Sequence, residues 1–283
     1  MSAQLCFSVL EDIAKDLSGD VVAFPTFLDI TFQVRTALKD PRLSIDRLAR
    51  LVEIEPLMST KVVRMANSAA MNPSGRSIVD VQSAIGRIGM DAVRSISFAV
   101  AMEQLLGSKD MAPFETLSRE LWEHSMQTAA LCRMLARRLG GINPDEALFA
   151  GLVHDIGAFY LLSRVVKFPE FVEDRVFLLD FLVQWHENIG HALLAAMGLP
   201  EDVLVAVQEH EQARDLVRIK TVADLVFVAN RLANRKTRWR DDVAVSEMSD
   251  DEYQALLGVA SLDELLAESV EEVASLKAAL GAR

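Results

Sequence analysis

Residues 151–162 read GLVHDIGAFYLL. A histidine and an aspartate sit side by side in an otherwise apolar run. Side chains of this kind are seldom buried unless they are paired, hydrogen-bonded or bound to a metal. His154 and Asp155 therefore have two readings. Either they hold a metal and do hydrolytic chemistry, or they remain from a site that once did. Just upstream, Asn143-Pro144-Asp145-Glu146 supplies an N-cap, a proline at the first helical position and a carboxylate reaching back. The helix that starts there is expected to carry the motif. On one helix the two side chains would project about 100° apart, within reach of one metal at the helix edge.

Almost every other segment has a helical period and none alternates convincingly with period two. Ser44 is the expected N-cap of a helix with Ile45, Leu48, Leu51 and Val52 on one face, and Pro56 suits the first turn of the next. Pro73 and Gly75 break that helix. Asp80 caps a helix ending near Gly86 and Gly89, and Asp91 opens another running through Met102. Met126, Ala130, Leu131, Met134, Leu135 and Leu139 lie at helical spacing over 121–139, and Gly140-Gly141 ends that helix. Shorter helices are expected around 176–187, 190–197 and 201–211, then a clear one through Val222, Leu225, Val226, Ala229, Leu232 and Ala233. Two capping boxes, Ser249 with Glu252 and Ser261 with Glu264, launch the terminal helices. Over 262–280, Leu262, Leu266, Val270, Val273 and Leu280 form one stripe, expected to dock on the chain's own bundle or on a second copy. The fold class that follows is all-α, a multi-helix bundle without repeats.

Composition bounds the function. The chain has 283 residues, 51% of them hydrophobic, which is enough for a sizeable core. No apolar run approaches the roughly 18 residues of a membrane span, and the N-terminus lacks the marks of a signal peptide. Cys6 and Cys132 fall in no motif and are expected to be reduced. These features predict a cytoplasmic protein with no membrane partner. A formal charge of −12 argues against nucleic acid as the main partner, since phosphate backbones need a basic face. The charge is uneven. From Asp241 to Arg283 there are eleven acidic residues against Lys277 and Arg283. Arg231, Arg235, Lys236, Arg238 and Arg240 form a short basic cluster just before, read as a solvated helix end or an anion-binding patch.

The chain has five histidines: 124, 154, 186, 191 and 210. His124, His154, Asp155, His191 and His210 are candidate metal ligands, because side chains on facing helices of a bundle can converge on one site. Imidazoles with a carboxylate suit Mn, Fe, Zn or Ni rather than Ca. The competing reading is that they are buried polar groups satisfied by hydrogen bonds. Asn67-Ser68 is read as a helix-end cap bonding backbone. Methionines at helical spacing are read as core.

GLVHDIGAFYLL, with LWEHSMQTAALCRMLA upstream, resembles the HD superfamily of metal-dependent phosphohydrolases. EPLMSTKVVRMANSA, SIVDVQSAIGRIGMDAVRSIS and HENIGHALLAAMGLPEDVLVAVQEHE narrow the resemblance to the HDOD domain, an HD-related output domain of bacterial signalling proteins. It runs from about Phe24 to about Glu211, with three motifs in the family's order. It implies an all-helical bundle with an N-terminal helical half (21–112) packed on an HD-like half (113–215). An N-terminal helix (1–20) precedes these, and an acidic C-terminal helical extension (216–283) follows. It also implies a regulatory module acting on a signalling partner through protein contacts, without demonstrated catalysis and with no cofactor beyond a divalent transition metal. By motif alignment His124, His154 and Asp155 match HD-type metal ligands, and His191 and His210 match two further ligand positions of the HD-GYP relatives. Two departures weaken the site. His210-Glu211 stands where HD-GYP relatives have a histidine pair, and VFVANRLA offers Asn230 where the HD pattern has its last aspartate. The GYP signature is absent as well, so hydrolysis of cyclic di-GMP by that machinery is not expected. The alternatives are a vestigial centre or a metal-dependent phosphohydrolase using His124, His154 and Asp155. A homodimer through the C-terminal helix is a further expectation.

Overall fold

The structure is a computed structural model that describes residues 3–18, 29–68, 71–73, 75–235, 239 and 248–280. Among them there is no strand. The helices in chain order are α1 (Ala3–Ser18), α2 (Asp29–Leu38), α3 (Ile45–Glu53), α4 (Pro56–Ala66), α5 (Val81–Ile88), α6 (Met90–Leu106), α7 (Glu115–Leu139), α8 (Pro144–Val153), α9 (Ile156–Val165), α10 (Pro169–Glu173), α11 (Arg175–Ala196), α12 (Glu201–Glu209), α13 (Val222–Ala233), α14 (Asp250–Leu257) and α15 (Leu262–Leu280). A 3-10 helix, Lys109–Phe114, leads into α7.

Local chemistry sets many of these boundaries. The Ser44 and Asp80 side chains accept the backbone N–H of Arg47 and Ser83, which starts α3 and α5. Thr221 with Asp224, and Ser249 with Glu252, each make the reciprocal pair of bonds of a capping box. At Ser261 only one half forms, Glu264 N–H to the serine hydroxyl at 3.3 Å. Asn67 Nδ2 donates to Val63 O and Ile78 O, and Asn67 Oδ1 accepts from Ile78 N–H, so Asn67 ties the end of α4 to the following loop.

Several elements differ from the sequence expectation. The helices expected at 176–187 and 190–197 are one, α11, because Gly190 is accommodated in its interior. The helix expected from 121 begins six residues earlier, at Glu115. The helix expected to carry His154-Asp155 breaks there instead. Asp155 sits at φ −96°, ψ 15°, in the sparsely allowed bridge region, and α9 restarts at Ile156. Together Pro144–Val165 does have the hydropathy of a membrane span, but 89% of its most apolar window is buried inside the protein.

α7 is the central rod. α8, α13 and α15 lie along it, α9 packs on α11, and α12 sits between α11 and α13. α2 to α6 form the N-terminal layer, joined to the rest through α6 against α8 and α4 against α15. One apolar cluster runs from Val9 to Leu276, and a second fills the space between α7, α8, α13, α14 and α15. The terminal stripe docks on the bundle through Leu262, Leu265, Leu266, Val273 and Leu276. Val270, expected on that stripe, is 52% exposed, and Leu276 takes its place in the core. Of the other sequence readings, the Leu280 side chain, the basic residues 236, 238 and 240, the acidic residues 241, 242 and 247, and the domain boundary at 20/21 lie outside the described residues.

Candidate metal centre

Four imidazoles and one carboxylate meet in the interior. α7 supplies His124, the α8–α9 break supplies His154 and Asp155, α11 supplies His186, and the end of α12 supplies His210. None exposes more than 1% of its surface. Asp155 is the hub. Its Oδ2 lies 3.2 Å from His154 Nε2 and 3.8 Å from His124 Nε2. Its Oδ1 lies 3.3 Å from His210 Nε2 and 3.7 Å from His186 Nε2. The carboxylate thus links two ligand groups, His124–His154–Asp155 and Asp155–His186–His210, each compact enough to hold a metal ion.

Small residues permit the convergence. A Cβ on Gly157 would lie 1.9 Å from His186 O and 2.6 Å from Gly190 N, so α9 and α11 touch backbone to backbone where His186 enters the site. A Cβ on Gly151 would meet Ala129 Cα at 2.8 Å, which sets how closely α8 lies on α7.

Hydrogen bonds fix the tautomers. Nδ1 of His154, His186 and His210 points at the carbonyls of Gly151 (2.7 Å), Leu182 (2.9 Å) and Val207 (2.7 Å). A carbonyl only accepts, so each Nδ1 carries the proton and each Nε2 turns a lone pair toward Asp155 when the ring is neutral. His124 is different. Its Nε2 lies 2.8 Å from Asn230 Oδ1. The Asn230 amide nitrogen faces two acceptors, Glu211 Oε1 at 3.1 Å and His210 O at 3.4 Å, which leaves Oδ1 toward His124. His124 Nε2 therefore carries a proton, donated to that amide oxygen.

The electrostatics follow. Burial opposes ionisation of Asp155, but the charges of His154 and His210 hold its carboxyl well below the usual carboxylate range. Burial also opposes a charged His210, yet Asp155, with Glu211 and Glu187 nearby, lifts the His210 pKa to about 9. Among the described residues the Asp155 oxygens are met by these imidazole nitrogens, at 3.2 Å from His154 and 3.3 Å from His210, and by no backbone N–H or hydroxyl. A buried carboxylate ringed by imidazole Nε2 atoms is a ligand set that a divalent metal would satisfy in place of the imidazole protons. The residues present fit such an ion. Nδ1-to-carbonyl bonds of this kind are also what usually orient metal-binding histidines.

Four of the five sequence candidates, His124, His154, Asp155 and His210, come together. His191 does not. It lies on α11, half-buried, in neither ligand group. His186 stands in the site instead. The two are five residues apart, about 140° round the helix. The missed signal was the buried ladder Leu178, Leu182, His186, Gly190 and Leu194, in which His186 is the polar rung and His191 is off the face. Trp239 packs edge-on against the His186 ring at 5.8 Å and closes that side.

The same bundle occurs in known proteins. A crystal structure of a protein from Shewanella amazonensis SB2B, assigned as a metal-dependent phosphohydrolase, matches with a TM-score of 0.76 at 22% identity, covering 98% of both chains. An HDOD domain protein from Geobacter sulfurreducens matches with a TM-score of 0.66 at 21% identity, again over 98% of both chains. An uncharacterized protein of Treponema pallidum (strain Nichols) is 23% identical over 212 residues, 70% of this chain, and this chain spans only 39% of that relative's length. The HDOD domain model matches residues 24–213, two thirds of the chain and every cluster residue except the Asn230 contact. The chain belongs to the HDOD family.

Proposed function

We propose that this chain is a regulatory module of bacterial signal transduction that works in the cytoplasm through contacts with a protein partner, without catalysis of its own. The observation that carries this reading is the bond between His124 Nε2 and Asn230 Oδ1 at 2.8 Å. It places a neutral amide where another carboxylate would add negative charge, and it uses the Nε2 that His124 would offer a metal. A metal ligand must present a lone pair, so His124 must surrender that bond to coordinate. Burial supports the same reading. Side chains exposing 1% or less offer a phosphoester nothing to touch without rearrangement.

The Asp155 oxygens favour a second reading, a metal-dependent phosphohydrolase. His124, His154 and Asp155 would hold one ion, and His186 and His210 would extend the site. A divalent Mn, Fe, Zn or Ni there would supply Lewis acidity toward a phosphoryl oxygen and acidify water. In that reading Asp155 would be a ligand, and Trp239, edge-on to the His186 ring, would keep bulk water off that side.

Metal content and turnover separate the two. The purified protein, His154→Ala and Asp155→Ala are analysed by mass spectrometry for bound metal. They are then assayed with a generic phosphodiester and phosphomonoester in each of the four metals. The module reading expects no turnover above a metal blank in any sample, and a folded His154→Ala protein that still captures the wild-type partner. Turnover by the wild type that vanishes in both variants would overturn it in favour of the enzyme.

A further inference from the structure

A cavity of about 410 Å³ lies between α13, the loop after α12 and the start of α14, apart from the histidine cluster. Its wall carries two arginines, Arg214 and Arg231, two carboxylates, Asp215 and Glu252, and the apolar Phe227 and Met248. Phe227 precedes Arg231 by one helical turn, so its ring lies under both guanidinium groups, 4.5 Å from Arg231 Cζ and 5.1 Å from Arg214 Cζ. The two arginines are not equivalent. Arg214 is neutralised by Glu209 at 3.1 Å and Asp224 at 3.4 Å. Arg231 is 8% exposed, and among the described residues it has no carboxylate within 4.0 Å. Among the described residues its Nε has no acceptor, and its Nη2 reaches the Glu211 carbonyl at a long 3.5 Å. Glu252 shares the wall but is committed elsewhere, its Oε2 held by Ser249 N–H at 2.7 Å and Ser249 Oγ at 2.8 Å.

A buried cation without a counter-ion is costly, and natural structures normally pair it. A guanidinium is a planar fork of donors that matches two oxygens of one phosphoryl or carboxylate group. We propose that this cavity binds a small organic oxyanion, whose phosphoryl or carboxylate group is held by the Arg231 guanidinium while its remainder rests against Met248. The volume exceeds that of a bare phosphate and falls in the range of small-ligand pockets. The site adjoins the metal centre. Asn230 is the next residue, and Glu211 contacts both, its carboxylate accepting from Asn230 and its carbonyl from Arg231. An occupant would therefore press on the residues that hold His124 and His210, whether or not a metal is bound there.

The test uses the full chain in EDTA at constant ionic strength, titrated calorimetrically with phosphate, phenyl phosphate and benzoate. Saturable one-to-one binding is expected in at least one organic arm, and the stronger arm identifies the anionic group. Arg231→Met should weaken it at least about tenfold, as loss of a charge-assisted bidentate contact does. Arg47→Met, an exposed arginine paired with Asp40, should not change it. Arg231→Lys keeps the charge without the fork, should fold, and should bind more weakly than wild type. Without ligand, Arg231→Met should melt no lower than wild type, because it removes an uncompensated buried charge. If it does not fold, Arg231→Lys decides. No saturable heat in any arm, binding by phosphate alone as an adventitious ion only, or equal binding by the Arg231 variants would overturn the proposal.

Discussion

At residue 230 the centre is one charge short. Asn230 gives its oxygen to His124 and its nitrogen to Glu211, so the amide satisfies both neighbours with no ion present. An aspartate there would set two carboxylates about as close as the present 3.1 Å contact. Asn230→Asp should therefore melt lower than wild type in EDTA and be rescued by Mn, Fe or Zn. It should bind the metal at least about tenfold more tightly, the scale on which coordination partners alter affinity. Equal melting in EDTA, with unchanged affinity, would show that position 230 does not face the ligand set. The His210 pKa, lifted from 6.5 to about 9, adds a pH dependence. A raised pKa stabilises the metal-free fold fully below about 6.5, and that contribution is lost as pH rises through about 9. A metal needs the neutral ring, so affinity should climb over the same window. Calorimetry in two buffers of different ionisation heat should register proton release on binding. Much of this was legible in the sequence, since the His-Asp pair and the amide at 230 are visible as letters. The exchange of His191 for His186 was not, because both sit on one helix and only the burial ladder separates them.

At the scale of elements, the cluster depends on a helix that stops and on two that touch. α8 and α9 read as one apolar helix, yet the chain turns at Asp155 so that the carboxylate faces four histidines. The caps were readable. Asn143 accepts from Asp145 N–H and Glu146 N–H, and Asn143→Ala should cost about 1 kcal/mol of stability. The break was not readable, because no proline or glycine occupies 154 or 155 and the turn answers to the cluster rather than to propensity. Nor was the α9–α11 contact, which relies on Gly157 meeting Gly190 across helices far apart in sequence. Gly157→Ala must push α11 away, since its Cβ would lie 1.9 Å from His186 O. We expect a loss of about 1–3 kcal/mol in denaturant unfolding, as for other overpacked cores. Weaker metal uptake should accompany it, since His186 shifts with the carbonyl. Gly86→Ala, with nothing within 4 Å of the added carbon, is the control and should keep both properties. A Gly157→Ala protein as stable as that control would mean α9 and α11 are not held in contact here.

For the whole molecule, the terminal helix joins parts that the sequence presents as separate. Its stripe predicted docking somewhere but could not say on what, because the partner surfaces lie on α4, α6 and α7. In the fold α15 crosses both apolar clusters, with Leu262, Leu265 and Leu266 in one and Val273 and Leu276 in the other. Polar contacts fix its register. Gln127 Nε2 donates to Ser269 Oγ at 3.2 Å, the buried Arg133 pairs with Glu272 at 3.3 Å, and Arg64 Nη1 donates to Ala278 O at 3.0 Å. Arg64 belongs to α4 in the N-terminal layer and Arg133 to the central rod, so α15 spans the two. Leu276→Ala removes a side chain that is 1% exposed and should cost about 2–5 kcal/mol. Glu272→Ala leaves Arg133, 2% exposed, with Asp145 at 3.8 Å as its remaining carboxylate, and should also destabilise, since breaking a buried pair strands a charge. Both variants should lower the melting temperature by several degrees for a chain of this size, at about 2–4 °C per kcal/mol. Both should also open the 262–280 region to limited proteolysis before the rest of the chain. Were α15 a loosely held tail, neither substitution would move the melting curve, and wild type and variants would be trimmed there at the same rate.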